Sequence, residues 1–426
     1  MQYCNRCLYP ANHPLGITFD KNGICSGCRV HDEKFKSIDW AKKASSFESL
    51  VSHYRSRPGS SYDCVIPVIG SGDDFYVVDL VKNRFGLNPL LVTYNTHFNT
   101  AVGVRNLARL ITNLDCDHIH STVGPETIKK ITRETIRLLG DMYWHVLAGT
   151  LTFPVQVATK FGIPLIVWGC NGWLDQVGQF SHEDMVEMSR KVRKEHGLRM
   201  IDSEQMMERA NGITFQDVLP YKYPSDEQLE RSRVRGVYIN NFFFWNSKKQ
   251  TEWAIREHGY ETQTEERTHN TYETIHCQNN AGIHDYIKFL KFGYGKATDH
   301  ACRDIRLKRL TREEGIQLAE KYDGVRPAGL PDFLKWIEMT ESELMSHIDR
   351  FRDPRVWRRN QMGIWERIGS VKVGTPNAPL TADDSTIELE EENEYLLTKQ
   401  LEEKSKSYIL TGRTYMDENN FKAVEG

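Results

Sequence analysis

No apolar run in the 426-residue chain is long. "LIVW" and "NFFFW" are the longest candidates, far short of the roughly 18 residues a membrane span needs. The start, "MQYCNRC", lacks the apolar core of a secretory signal, so a cytoplasmic, thiol-reducing setting is expected. Charge of one sign is not in excess either. Lys+Arg of 55 against Asp+Glu of 58 leaves −3, which argues against a broad electrostatic footprint for nucleic acid. The nucleotide signatures GxxxxGK[ST] and GxGxxG are both missing, and so is any internal repeat. A glutaminase is absent too. The stretch "GCNG" around Cys170 has Trp168 where a nucleophile elbow needs Gly, and position 2 is Gln rather than an amino-terminal cysteine. Cys170 is therefore read as a buried structural thiol.

Cysteine is present, in a pattern. In a reducing setting nine cysteines are metal ligands or buried apolar groups before they are disulfides. Four of them form two CxxC pairs, Cys4 and Cys7 in "YCNRC" and Cys25 and Cys28 in "ICSGC", separated by 17 residues. That is the spacing of a four-thiolate zinc ribbon, with paired redox dithiols as the alternative. Four protein ligands leave no open position for substrate, so a zinc ion here is structural, and metal would supply much of the folding free energy of so small a module. A tetrathiolate centre is net negative. Arg6 and Arg29, beside the knuckles, are expected to offset it.

A polar helical connector from His31 to about Arg57 ends in the Pro/Gly/Ser break "RPGSSYD". From Asp63 short apolar runs alternate with 3.6-period segments. "CVIPVI", "PLLVTY", "CDHIH" and "IPLIVWG" are expected strands. Helices are expected between them: the stripe Val78, Val81 and Phe85 ended by Gly86, the face of Val104, Leu107, Ala108 and Ile111, the stretch opened by Pro125, and about Tyr143 to Phe161. This rhythm predicts an α/β fold, a parallel sheet with helices on both faces and ligands at the carboxyl ends of the strands. Beyond about Gly172 the strand rhythm fades into helical, aromatic-rich sequence, in which Thr311 and Glu314 of "TREE" make a capping box. The expected organisation is a zinc ribbon (1–35), a connector (36–62), the α/β domain (63–200), a helical substrate or partner region (201–370) and an acidic appendage (371–426).

The turn after the first strand reads "IGSGDD". Strand, Gly-rich turn and helix together bind anions through free backbone N–H groups and the helix dipole. Two adjacent carboxylates are then a problem: a second one about 4 Å from a phosphate oxygen costs roughly 4 kcal/mol at an effective dielectric near 20. Either Mg²⁺ lies between, with Asp73 as its contact, or Asp74 turns away along the first helical turn, where the dipole favours an acid.

This turn resembles the pyrophosphatase loop of N-type ATP pyrophosphatases, usually SGGxDS. Gly70 and Asp73 keep their places, while Ile69, Ser71, Gly72 and Asp74 replace the first Ser, second Gly, variable residue and last Ser. Together with "YCNRCLYP", "GICSGC", "GLNPLLVTYN", "GVRNL", "IPLIVWG" and "HDYIKFLKFGYGKATD", the loop resembles the N-acetyl sugar amidotransferases of bacterial surface-polysaccharide biosynthesis, over residues 1 to about 325. The resemblance implies a PP-loop, HUP-like ATP-binding domain with ATP and Mg²⁺. It implies that the carbonyl oxygen of an N-acetyl group on a nucleotide-activated sugar is adenylated, and that ammonia then displaces AMP to give an acetamidine. It further implies separate glutaminase and synthase subunits, like those of imidazole glycerol phosphate synthase, as the source of ammonia.

On this reading Asp73 and His97 are the expected catalytic residues. Gly70, Ser71, Gly72, Asp73, Asp74, Thr93, Asn95 and Gly169 are expected at the nucleotide, and Asn171, His284, Lys288, Lys296 and Asp299 at the sugar, where Lys would meet phosphates and Asp hydroxyls. A charged helix face followed by a loop is the plain alternative for the last four. Two other functions stay open. A tRNA-modifying thiolase also pairs zinc ribbons with such a loop, and would need a basic face and a reactive thiol such as Cys116 or Cys170. A non-catalytic scaffold is the other, motivated by the departures in the loop.

Overall fold

A computed structural model describes residues 1–55 and 61–372. The acidic appendage, from residue 373 on, and residues 56–60 of the Pro/Gly/Ser break lie outside the described residues.

Five strands form one parallel sheet in the order β3-β2-β1-β4-β5. They are β1 Cys64–Pro67, β2 Pro89–Tyr94, β3 His118–Ser121, β4 Leu165–Trp168 and β5 Arg235–Tyr238. The first four fall where alternating apolar runs predict them. The fifth is a correction: strand rhythm was expected to end near Gly172, yet "RGVY" pairs with β4 along its whole length, from Leu165 opposite Arg235 to Trp168 opposite Tyr238. Arg235 and Gly236 at its start break the apolar run that marks β1, β2 and β4. What fixes it is burial on the flank of an existing strand, a tertiary effect.

Ten of the described helices frame the site and its supports: α1 Ser26–Lys36, α2 Trp40–Ser52, α3 Gly72–Asp79, α4 Ala101–Asn113, α5 Pro125–Leu139, α6 Trp144–Phe161, α7 Ser247–His258, α8 Gln278–Phe292, α9 Lys296–Arg306 and α10 Arg312–Tyr322. Local chemistry sets their ends. Pro125 opens α5 and Gly140, in the left-handed region, closes it. Thr311 and Glu314 form the expected reciprocal capping box on α10. α3 runs on through a π-helical turn, Leu80–Arg84, before Gly86.

Alternate residues of β1 face opposite layers. Cys64 and Ile66 enter a core with Phe75 and Val78 of α3, Leu110 of α4 and Ala254 of α7, while Val65 enters a second core with Val155 and Ala158 of α6. Helices therefore cover both faces, as expected. β1 feeds β2 on one side, and the chain returns to lay β4 on its other side. This reversal opens a crevice beyond the carboxyl ends of β1 and β4, where ligands of open α/β sheets bind. The cysteine module packs elsewhere: Cys4, Cys7, Leu8 and Tyr9 share a core with Phe292, Ala301 and Cys302 of α8 and α9.

Candidate functional site

The turn after β1 is closed by its own side chains. Ser71 caps α3, its hydroxyl accepting from Asp74 N, and Asp74 Oδ2 accepts from the backbone N–H of Ile69 and of Ser71, each at 2.8 Å. Of the two expectations for this carboxylate, the structure adopts the second: Asp74 turns into its own loop. Burial raises its pKa, against the pull of the two amides. Gly70 supplies φ of 83°, and a Cβ there would lie 2.7 Å from Leu107 N of α4, so only glycine fits.

Asp73 points the other way, toward the start of α7. Its Oδ2 accepts from the Ser247 hydroxyl at 3.0 Å, while Oδ1 is buried with no partner among the described residues. Burial, and then the charge of Glu273, push the Asp73 carboxyl up to about 7, against Ser247 and Arg303. An orphaned carboxylate oxygen beside a second acid fits a divalent cation such as Mg²⁺. Glu273 is itself ion-paired to Arg303, and its other oxygen lies 3.1 Å from His300 Nε2.

Ser247 also lines a cavity, with Asp175 and Gln176 from the turn after β4, Lys34 and His31 from α1, and Asp299, Arg303 and Arg306 from α9. Asp175 is ion-paired to Lys34; burial alone would raise its carboxyl, but Lys34 and Arg303 hold it at about 2. Asp299 Oδ1 and His31 Nε2 are further buried atoms without a partner among the described residues.

The other expected residues are placed as follows. Thr93 lies inside the sheet, its hydroxyl donating to Val68 O at 2.6 Å. Asn95 organises the turn after β2, accepting from His97 N and donating to Thr122. His97, at φ of 61°, has Nε2 2.9 Å from Val123 O, and burial lowers its pKa; none of its hydrogen bonds reaches the β1 loop. Gly169 has open space where a Cβ would be. Asn171 is buried and tied to Asn240 and to Trp173 N. On α8, His284 stacks on Tyr143 at 4.2 Å and faces Asp141 at 3.2 Å. Lys288 is ion-paired to Asp299, and Lys296 to Glu265 at 2.9 Å. The sugar-side expectation thus divides. Asp299 reaches the cavity, whereas the three basic residues meet acids of the protein itself.

The four knuckle cysteines converge. Their sulfurs all lie within 4.8 Å of one another, fully buried, and Cys4 Sγ accepts from the backbone N–H of Arg6, Cys7 and Cys25. This donor set fits tetrahedral Zn²⁺. The expected counter-charges are corrected. Arg6 is paired with Asp32 at 2.8 Å, and Arg29 donates to Ile24 O and Thr18. Arg306 of α9 takes their place, with Nε 3.4 Å from Cys28 Sγ and Nη2 3.6 Å from Cys25 Sγ.

Burial pushes the Cys116 and Cys170 thiols up, the wrong direction for reactive sulfur. Outside the four-cysteine cluster, Cys277, not singled out in the sequence, is the thiol drawn down, to about 7: burial opposes, and His276 and the Tyr143 hydroxyl outweigh it.

Glu273, Arg303 and Arg306 all belong to a segment with known relatives. Residues 265–372 match the family model of the C-terminal domain of WbpG-like LPS biosynthesis proteins. The WbpG-like segment contains "HDYIKFLKFGYGKATD" and supplies one wall of the cavity. A search of curated proteins finds no match. Among solved structures, the chain is similar to the NH3-dependent NAD synthetase of Campylobacter jejuni subsp. jejuni NCTC 11168 in complex with the nitrate ion, at 15% identity and TM-score 0.27, over 34% of this chain and 62% of that one. It is also similar to NMN synthetase from Francisella tularensis, at 14% identity and TM-score 0.26, over 46% and 92%. A predicted tRNA methyltransferase subunit from Methanocaldococcus jannaschii DSM follows at 13% identity and TM-score 0.24, over 45% and 73%. The chain thus spans 62% of the length of the NAD synthetase, and the fold is defined by its own strand order rather than by these overlaps.

Of the site residues, sequence reasoning missed Lys34, Asp175, Ser247, Glu273, Arg303 and Arg306. Asp175 had a signal, since it lies in the turn after a recognised strand. Arg303 and Arg306, one helical turn apart in "CRDIR", lie in the stretch richest in polar side chains.

Proposed function

We propose that the chain is an ATP-dependent amidotransferase that converts the N-acetyl group of a nucleotide-activated sugar into an acetamidino group, for lipopolysaccharide O-antigen, capsule or a related surface glycan. One observation carries this reading: Asp73, just after β1, accepts from the Ser247 hydroxyl, and Ser247 lines the same cavity as Asp299, Arg303 and Arg306 of the WbpG-like segment. An ATP-type loop and a glycan-biosynthesis segment thus share one site.

The amide carbonyl oxygen attacks the α-phosphorus of ATP and pyrophosphate leaves. Ammonia then adds to the imidate carbon, and AMP departs with the former carbonyl oxygen. Mg²⁺, when bound, neutralises phosphate charge, with Asp73 as its protein contact. Arg303 stands beside the same carboxylate, where a guanidinium stabilises charge gathering on the leaving phosphates. Asp299 accepts from a sugar hydroxyl, and Lys288 holds Asp299 in its charged form. Lys296 orders Glu265 and Thr274 rather than touching substrate. Gly169 lets backbone approach the nucleotide after β4, Asn171 lies beside it on the sugar side, and His97, Asn95 and Thr93 shape the neighbouring turn. Ammonia comes from separate glutaminase and synthase subunits.

The test is incubation with ATP, an ammonium salt at high pH and a panel of nucleotide-activated acetamido sugars. A product whose mass reflects exchange of O for NH supports the reading; release of AMP with every sugar unchanged refutes it. A non-catalytic scaffold is the second reading, favoured by Asp74, which occupies two loop amides that a phosphate would use. Titration calorimetry with ATP and Mg²⁺ separates the two, since the scaffold gives no heat at millimolar ATP.

A further inference from the structure

The turn after β4 is held from outside the sheet, by the cysteine module. Ser26, in the second knuckle, donates from Oγ to Val177 O at 2.6 Å, and Lys34 is ion-paired to Asp175. Between knuckle and turn runs the buried side chain of Arg306. One edge of its guanidinium meets sulfur, with Nε 3.4 Å from Cys28 Sγ and Nη2 3.6 Å from Cys25 Sγ and 3.9 Å from Cys7 Sγ. The other edge meets the turn, Nη1 donating to Gln176 O at 2.7 Å and reaching Asp175 O at 3.5 Å. Gly27 makes the passage possible, because a Cβ there would collide with both the Arg306 guanidinium and Gln176 O.

We infer that Arg306 is a positioning residue that fixes the turn Asn171–Val177 to the metal centre, so that loading of the cysteine cluster sets the wall of the cavity on which Asp175 lies. The chemistry needs arginine. A planar fork presents donors on two edges at once, so it satisfies thiolates on one side and carbonyls on the other. An ammonium is a single point and serves one side at a time. Charge and bridging are therefore separable by substitution.

The inference rests on the zinc reading of the cysteines and not on the amidotransferase reading, and its test uses no ATP. Zinc-loaded full-length chains are compared as wild type, Arg306→Gln and Arg306→Lys, reading two quantities: the rate at which a chelator extracts the metal, and amide hydrogen exchange in the peptide spanning 171–178. Arg306→Gln is expected to lose metal roughly tenfold faster, the scale of outer-shell effects, and to exchange faster across 171–178 while still metal-bound. Arg306→Lys, which keeps the charge, is expected to retain metal like wild type yet to exchange as fast as the Gln variant. This split is one that a merely structural role would not produce. If Arg306→Gln fails to fold, Arg306→Lys against wild type carries the same test. Unchanged exchange in Arg306→Lys, or restoration of both quantities by lysine, overturns the inference.

Discussion

The turns after β1 and β4 leave the same edge of one sheet, yet they are held in opposite ways. The β1 turn satisfies its amides from within: Ser71 and Asp74 cap each other, and Asp74 gathers the loop's own N–H groups, although Gly70 packs on Leu107 and Asp73 accepts from Ser247. The β4 turn borrows its order, from Ser26 and Lys34 of the cysteine module and from Arg306 of a helix near residue 300. A turn built from near neighbours can be read from sequence, because its determinants lie within six residues. A turn built from distant elements cannot, because nothing local marks the partners.

Metal removal breaks the contrast hardest. Stripping zinc is expected to lower the unfolding temperature sharply, since metal binding to such a module is folding free energy. Hydrogen exchange should rise in 171–178 while 69–74 stays protected; equal loosening of both turns would mean that the β1 turn too depends on the cysteine module.

Asp73→Asn is next. A carboxyl raised from 3.8 to about 7 keeps, in the folded chain, a proton that the unfolded chain has lost. Its contribution to stability is therefore full below about pH 4 and is lost as pH rises through about 7. Asn abolishes that slope and is expected to stabilise the chain by roughly 2–4 kcal/mol at pH 8, while abolishing Mg²⁺-dependent ATP binding. Denaturant melts at pH 5 and pH 8 with parallel calorimetry check both halves. A variant that loses stability at pH 8 contradicts the assignment.

Asp74→Ala leaves the amides of Ile69 and Ser71 unpaired and is expected to cost about 1–3 kcal/mol, confined to the β1 turn. Asp74→Asn, which keeps one accepting oxygen, should cost less and, with one negative charge gone, bind ATP more tightly. Ser26→Ala removes a single tether to Val177 and is the smallest change, about 1 kcal/mol in urea unfolding, with faster exchange only in the β4 turn.

The same distinction accounts for what the sequence revealed. Strands β1 to β4, the ends of α5 and the capping box of α10 rest on local rules, and all stand where the residues placed them. Cys4, Cys7, Cys25 and Cys28 converge because the CxxC spacing itself builds the knuckle. β5 escaped because Arg235 and Gly236 leave it without an apolar run, and Arg306 escaped because its partners lie across the chain. His97, expected at the site from its strand-end position, has its Nε2 on Val123 O, a partner that nothing local marks. In the same way Lys288 and Lys296 look like ligand-binding cations in one dimension and meet Asp299 and Glu265 in three.

The 278 positions separating Cys28 from Arg306 have a consequence for synthesis. At about 5–20 residues per second the ribosome needs some tens of seconds to deliver the arginine after the last knuckle cysteine. Throughout that interval the nascent thiols exist without their cationic neighbour and without the core that buries them. Completion of the cysteine module is thus tied to a residue translated long after its own ligands.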